Sequence, residues 1–344
     1  MADNYVLEVK KLNTSFITDK KEVKIIKDVS FKLKKGTILA LVGESGCGKS
    51  VTVNSVMRML PKNSKMNAEH VIYRKFDDEG NVVNESRIDQ MKNNDKAIQA
   101  LRGEEISMIF QDPMVSLNPV YRVGDQIIEG LLQHHPEIKK KEALQKAVDL
   151  LKELDIPAAE QRINEYPHQF SGGMKQRIVI ATAMIQDPEI IIADEPTTAL
   201  DVTIQAQILE LMKELQQKKH KSIIIITHNM GIVADMADEV AVMYMGRIVE
   251  QGDIKEIFEN PMHPYTKALL SSVPVLGEKK ERLTTISGST PAPSELKDGC
   301  EFADRCPFAS EKCRQGLIPL YKKDEDHFVR CLQFADLQEV NENE

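Results

Sequence analysis

The sequence predicts an α/β fold built on a largely parallel sheet with helices on both faces. Three observations carry the prediction. Short apolar segments such as "EIIIAD" (189–194) and "SIIIITH" (222–228) alternate with a helical period in "IQAQILELMKELQQ" (204–217); strands buried on both faces read as such continuous apolar runs. A glycine-rich turn in "LALVGESGCGKSV" (39–51) joins a strand to a helix. One apolar strand, Ile190 to Ala193, ends in two acids, Asp194 and Glu195.

The elements follow in order. "YVLEVKKL" and "VSFKLKKGTILALV" are rich in β-formers, so residues 5–42 read as strands and turns. A helix is expected over 49–60, stopped by Pro61. Residues 62–110 read as an irregular β region with a turn at "DDEGN". The span Val123 to Leu154 has a helical period, and "VAVMYMGRIVEQG" reads as a strand pair turning at Gly246. After about Pro261 proline, glycine and serine become frequent and periodic helices fade beyond "YTKALLSSV". That change, near residues 255–265, divides the chain into residues 1–258 and 259–344.

Composition narrows the function. The chain has 344 residues, 42% hydrophobic and 28% charged, which suits a soluble globular protein. Its net charge of −8 disfavours broad nucleic-acid binding, which needs a basic face. No apolar run reaches the ~18 residues of a membrane span. The start, "MADNYVLEVKK", lacks the apolar core of a signal peptide. A cytoplasmic location is therefore expected, where disulfides are rare.

The glycine-rich turn is the pattern Gly43-x4-Gly48-Lys49-Ser50, placed after a strand and before a helix. That is the context of a phosphate-binding P-loop. Gly43, Glu44, Ser45, Gly46, Cys47 and Gly48 present backbone to phosphate oxygens, and the helix start at Lys49, Ser50 and Val51 adds partial positive charge. Lys49 reaches the β- and γ-phosphates and the Ser50 hydroxyl binds Mg²⁺. Cys47 reads as a small filler, not a nucleophile. Asp194 and Glu195 lie where open α/β sheets bind ligands, at the strands' carboxyl ends. Asp194 is expected to hold Mg²⁺ through water, and Glu195 to orient or deprotonate an attacking water.

"FSGGMKQR" (170–177) resembles the signature motif of ATP-binding cassette (ABC) ATPases, and four further elements follow that family's order. They are Gln111 in "MIFQDP", the Asp194–Glu195 pair, "ALD" at 199–201, and His228 in "IIIITHN". The resemblance covers about residues 5–255 and implies an ABC-type P-loop ATPase core with an antiparallel β subdomain and a helical subdomain over about 112–180. It implies ATP and Mg²⁺, with Gln111 sensing the metal and water and His228 contacting the γ-phosphate. Ser171, Gly172 and Gly173, ahead of a helix expected near Met174, would form a second anion site. In this family that site serves the P-loop of a partner cassette across a two-fold seam, which Asp201 lines. Phe16 is the candidate for stacking on adenine, with Tyr5 and Phe31 as alternatives. The motif commonly continues with Gln after the glycines; here Met174 stands there.

"YPHQFSGGMKQR", "FQDPMVSLNP", "NPMHPYTKALLSSVP" and "GCEFADRC" are similar to a narrower group, the ATP-binding subunits of bacterial di- and oligopeptide importers. This resemblance implies a peripheral protein on the cytoplasmic face of the cell membrane. It implies two membrane permease subunits, an extracytoplasmic binding lipoprotein, and a second, different ATPase subunit. An importer ATPase for another solute, such as nickel, is the main alternative. Soluble ABC ATPases of translation carry two cassettes per chain, and repair types insert long coiled coils; neither feature occurs here.

Four of the five cysteines fall in the last 45 residues, as Cys300-x5-Cys306-x6-Cys313-x17-Cys331. The spacing is neither a zinc ribbon nor a ferredoxin run. By itself it supports four soft ligands in a small irregular C-terminal domain, for zinc or an iron–sulfur cluster, with free thiols as the plain alternative. Peptide-importer ATPases sharing this tail are associated with a 4Fe-4S cluster on four cysteines, which the resemblance therefore implies; zinc is the alternative. His263 and His327 are substitute ligands should one cysteine fail.

Overall fold

The computed structural model describes residues 4–18, 21–93, 95–198, 200–272, 286, 288–296 and 298–340. β1 (Tyr5–Thr18) and β2 (Lys21–Lys34) form a long antiparallel pair, and β3 (Ile38–Val42) is wholly buried. α1 (Lys49–Val56) follows the glycine-rich turn; it stops at Met57, short of the Pro61 limit read from the sequence. Leaving helical geometry there lets Arg58 take positive φ and turn the chain back. β4 (Ser64–Asn67), β5 (His70–Phe76) and β6 (Val82–Arg87) complete an antiparallel sheet in the order β2-β1-β5-β6, with β4 also on β1. The expected turn at 77–81 closes the β5–β6 hairpin.

The stretch 62–110 is not all β, however. It contains α2 (Lys96–Glu104), distorted at Arg102 and Gly103, before β7 (Ile106–Ile109). Only Ile98 and Leu101 of α2 are buried, too few apolar residues to show a helical period in the sequence. The helical part comprises α3 (Pro113–Ser116), α4 (Val123–His134), α5 (Lys140–Glu153), α6 (Ala159–Arg162) and α7 (Gly172–Met184). The single span expected over 123–154 is two helices, separated at 135–139, which includes Pro136. Alternation then resumes with β8 (Ile190–Asp194), α8 (Val202–Lys219), β9 (Ser222–Thr227), α9 (Met230–Met236), β10 (Glu239–Tyr244) and β11 (Arg247–Asp253).

β7, β8, β9, β3 and β10 are parallel neighbours at the centre of a nine-stranded sheet. Its two faces are covered differently. Ala40, Val42, Ile191 and Ile225 bury against the helical side, while Leu39, Leu41, Ile192 and Ile224 bury against the antiparallel sheet and α1. Alternate residues of one strand thus serve two cores, which explains the unbroken apolar runs.

α10 (Ile254–Glu259) and α11 (Pro264–Ser271) span the expected boundary. Beyond them β12 (Tyr321–Lys322), β13 (Phe328–Val329) and β14 (Gln338–Glu339) extend the same nine-stranded sheet from β11, in the order β14-β12-β13-β11. Phe302 is buried in the main core against Tyr244 and Tyr265. The described C-terminal strands therefore extend the parallel sheet, and no separate C-terminal sheet occurs among the described residues. Buried Glu250 on β11 ties the junction: its carboxylate accepts the Met262 and His263 amides (2.7 and 2.9 Å) and lies 2.9 Å from His327 Nε2. No described helix is long and apolar enough to cross a membrane.

Candidate active site

Four parallel strands end level on one edge of the sheet. Val42 pairs with Thr227, Ile226 with Asp194, and Ala193 with Ile109. The residues that follow these ends are the glycine-rich turn, His228, Glu195 and Gln111. Sequence motifs 185 residues apart are thus brought together by register alone.

The turn is built by close approach. A Cβ on Gly43 would collide with the Met243 carbonyl and the Cys47 sulfur. Gly48, with φ 108°, caps α1 and leaves no room for a side chain beside Ile26. Cys47 fills the space behind the loop; it is buried, and burial pushes its thiol pKa up, as a filler requires. Lys49 is 4% exposed and donates to the Gly43 and Glu44 carbonyls at 2.8 and 3.0 Å. Among the described residues no carboxylate is in ion-pair contact with it. A buried ammonium held by carbonyls and the Cys47 sulfur, with no carboxylate beside it, fits an anionic ligand. Ser50 Oγ donates to Asp194 Oδ1 at 3.1 Å, the pairing expected of two groups that share Mg²⁺. Burial and the neighbouring Glu195 raise the Asp194 pKa, against the opposing Ser50 hydrogen bond and Lys49 charge. A cation would reverse that cost.

Glu195 is the centre of the constellation. Its φ of 46° is rare for a side-chain-bearing residue, and its amide is held by the Ile226 carbonyl at 3.0 Å. Oε2 accepts from Gln111 Nε2 (3.0 Å) and Thr198 Oγ1 (2.9 Å), and Oε1 lies 3.1 Å from His228 Nδ1. Burial works to raise its pKa, but the Thr198 and His228 contacts outweigh it and hold the carboxyl below the usual range. Thr198 belongs to none of the sequence motifs; its position three residues after Glu195, in the turn, is the signal the sequence offers for it.

The signature stretch lies apart from this edge. Ser171 caps α7 by accepting the Met174 amide at 3.4 Å, so the helix begins at Gly172, two residues before Met174. Ser171 and Gly172 are exposed, whereas Gly173 packs tightly on Ile204. Asp201 caps α8 through the Ile204 amide and is also exposed. Ala199 of the "ALD" stretch lies outside the described residues. Phe16 is half-buried on β1, opposite Val23 and Ser64; two residues earlier, Thr14 bonds Ser55 of α1 at 2.8 Å. Val51 continues α1.

The four C-terminal cysteines line one small cavity together with His263. None of them forms a disulfide. Burial pushes Cys300 up to about 12 and raises Cys306 and Cys331. No three of the sulfurs lie within 4.8 Å of one another. Tetrahedral Zn–S bonds of ~2.3 Å would put sulfurs ~3.8 Å apart, so the arrangement does not fit one zinc ion. His263 Nε2, fully buried and unpartnered, lines the same cavity, and burial lowers that imidazole to about 4. His327, by contrast, is committed to Glu250 and is not among the lining residues.

Comparison with known proteins agrees with this geometry. The ABC transporter family model matches residues 26–198, and the oligopeptide/dipeptide transporter C-terminal region matches residues 249–313. The chain is 47% identical to the dipeptide transport ATP-binding protein DppD of Lactococcus lactis, covering 96% of this chain and 91% of that one. It is 48% identical to the oligopeptide transport ATP-binding protein OppD of Bacillus subtilis, covering 94% of this chain and 88% of that one. Among solved structures, the fold matches the dimeric bacterial ABC transporter cassette MJ0796 (TM-score 0.60, 24% identity, 72% of this chain and 98% of that chain). It also matches cbiO1 of Clostridium perfringens (TM-score 0.57, 28% identity, 75% and 92%). The two family matches, with relatives 47% and 48% identical over most of both chains, mean that the chain belongs to the ABC transporter ATPase family, in its oligopeptide/dipeptide branch.

Proposed function

We propose that the chain is the ATP-hydrolysing subunit that powers uptake of oligopeptides or dipeptides through a membrane permease. The observation that carries the ATPase part is the level edge where Lys49, Ser50, Asp194, Glu195, Gln111 and His228 converge. Lys49 and the loop amides bind the ATP phosphates; Ser50 and Asp194, with Gln111, would hold Mg²⁺, which would supply charge neutralisation to the phosphates. Glu195 receives the proton of the attacking water, while Thr198 and Gln111 keep its carboxylate aimed. His228 contacts the γ-phosphate, and Phe16 stacks on adenine.

The exposed Ser171–Gly172 cap and Asp201 support pairing with a second, different cassette. Ser171→Ala should cost about 1 kcal/mol of stability, the usual worth of a helix cap. In a thermal melt that is a small shift, yet ATP-dependent pairing measured by light scattering should be lost. Pairing at wild-type ATP concentrations would refute the role. Exposed apolar residues Phe110, Met114, Val115, Val120 and Tyr121 support docking of the helical part, about 112–180, on a permease at the cytoplasmic membrane face. An extracytoplasmic binding lipoprotein would deliver the peptide. Residues 1–258 act as the cassette and 259–344 as its importer-specific extension.

The decisive test is genetic. Deleting the gene should stop an amino-acid auxotroph from growing on peptides. Intact peptide growth with lost nickel uptake would overturn the peptide reading in favour of nickel.

Cys300, Cys306, Cys313 and Cys331 would hold a 4Fe-4S cluster; the cavity that all four line supports it. Its role there is structural cross-linking of a segment with a small core of its own. Anaerobically purified protein should carry about four irons with broad visible absorption, and Cys331→Ala should lose both. Colourless, iron-free wild-type protein would refute the assignment.

A further inference from the structure

The P-loop is gripped from the C-terminal side by residues that no nucleotide motif contains. Arg305 makes a two-pronged ion pair with Glu44, Nη1 to Oε2 at 2.6 Å and Nη2 to Oε1 at 3.0 Å. The two residues are 261 positions apart. The Arg305 side chain is 6% exposed, bonds the Tyr244 hydroxyl at 3.3 Å, and lies over the Tyr244 and Phe302 rings. The Glu44 amide donates to the hydroxyl of fully buried Tyr265 at 2.8 Å, so it points away from the cradle. Glu44 and Arg305 line one cleft with Gly43, Ser45, Glu195 and His228.

Glu44 poses an electrostatic problem. It is the first residue inside the phosphate-binding turn, and a carboxylate there repels a polyanion. Arg305 answers it with the geometry only a guanidinium supplies: two parallel bonds that both cancel the charge and fix the carboxylate's direction. The hydrogen bonds to Glu44 hold the guanidinium pKa above its ordinary value, so the clamp persists across the physiological range.

We propose that Arg305 is a positioning residue of the nucleotide site: it neutralises Glu44 and holds its carboxylate aside, so that the C-terminal segment sets the nucleotide affinity of the P-loop. The inference rests on the reading of that loop as the ATP site. Coupling of this kind is reciprocal, so nucleotide at the loop also steadies the segment between Cys300 and Cys306 that carries Arg305.

The experiment measures binding of a fluorescent ADP analogue with Mg²⁺ to the full chain. Arg305→Gln should weaken binding at least about tenfold, because the Glu44 charge is released into the site. Adding Glu44→Gln to that variant should restore most of the affinity, and Glu44→Gln alone should bind more tightly than wild type. A merely structural contact predicts the opposite: a double variant as weak as, or weaker than, the single. Arg305→Lys, which keeps the charge but not the fork, should fall between. The exposed Arg314–Asp304 pair in the same segment is the control, and Arg314→Gln should bind as wild type does. Wild-type affinity in Arg305→Gln, or no recovery in the double variant, overturns the proposal. If Arg305→Gln does not fold by circular dichroism, Glu44→Gln decides alone: weaker binding than wild type overturns it. Failure of the wild-type chain to bind nucleotide would overturn the ATP-site reading, and this inference with it.

Discussion

Glu195→Gln is expected to lower steady-state ATP turnover at least ~10²-fold, the range of a lost general base. The geometry makes the substitution clean. Gln occupies the same volume, and its amide oxygen still accepts from Thr198 Oγ1, now 2.9 Å from Oε2. The strained backbone, with φ 46°, does not have to change. What disappears is the charge that attracts the water's proton. Nucleotide binding should therefore survive, and ATP-bound pairing should become longer-lived because hydrolysis no longer ends it. Phosphate release and gel filtration with ATP check the two halves; wild-type phosphate release in the assembled transporter would remove Glu195 from its role. The pH dependence has a definite sign. Glu195 titrates below its ordinary 4.5, so its base form predominates above that value and is lost as pH falls through the lowered one. An acid limb of activity near pH 6 must therefore come from another group.

Lys49→Ala is expected to cost at least ~2–3 kcal/mol of transition-state stabilisation, the worth of one preorganised donor, or roughly 30–150-fold in kcat/KM. The ammonium is already inside the loop, held on the Gly43 and Glu44 carbonyls, so little reorganisation precedes its contact with phosphate. Removing it also deprives those carbonyls of their donor. The two effects separate by measurement: single-turnover hydrolysis reads the first and a thermal melt reads the second. Near-normal hydrolysis by a folded Lys49→Ala chain would contradict the whole phosphate-cradle assignment.

The parallel core was legible because its strands are buried on both faces, which leaves unbroken apolar runs such as Ile190–Ala193. The nucleotide motifs were legible because glycines and charged residues at fixed offsets have little other reason to recur. α2 was not, since its two buried residues leave no period. Nor were the last three strands: each is two residues long, and pairing so brief leaves no alternation to read. The Arg305–Glu44 clamp was invisible for another reason. Each residue is ordinary in its own segment, and only the packing of Tyr244, Tyr265 and Phe302 brings the segments together.

The sheet order also governs when the site can exist during synthesis. β3 carries the glycine-rich turn and is made early, but both its neighbours, β9 and β10, come from residues 222–244. Until about residue 227 has left the ribosome both edges of β3 are unpaired, and the edge that takes β10 stays open until about residue 244. At ~5–20 residues per second that wait lasts on the order of ten seconds or more. The antiparallel sheet can form meanwhile, because β1, β2, β4, β5 and β6 are consecutive apart from β3 and α1. The chain thus emerges with a shielded half and a waiting half, and the waiting half is the client surface on which chaperones would act.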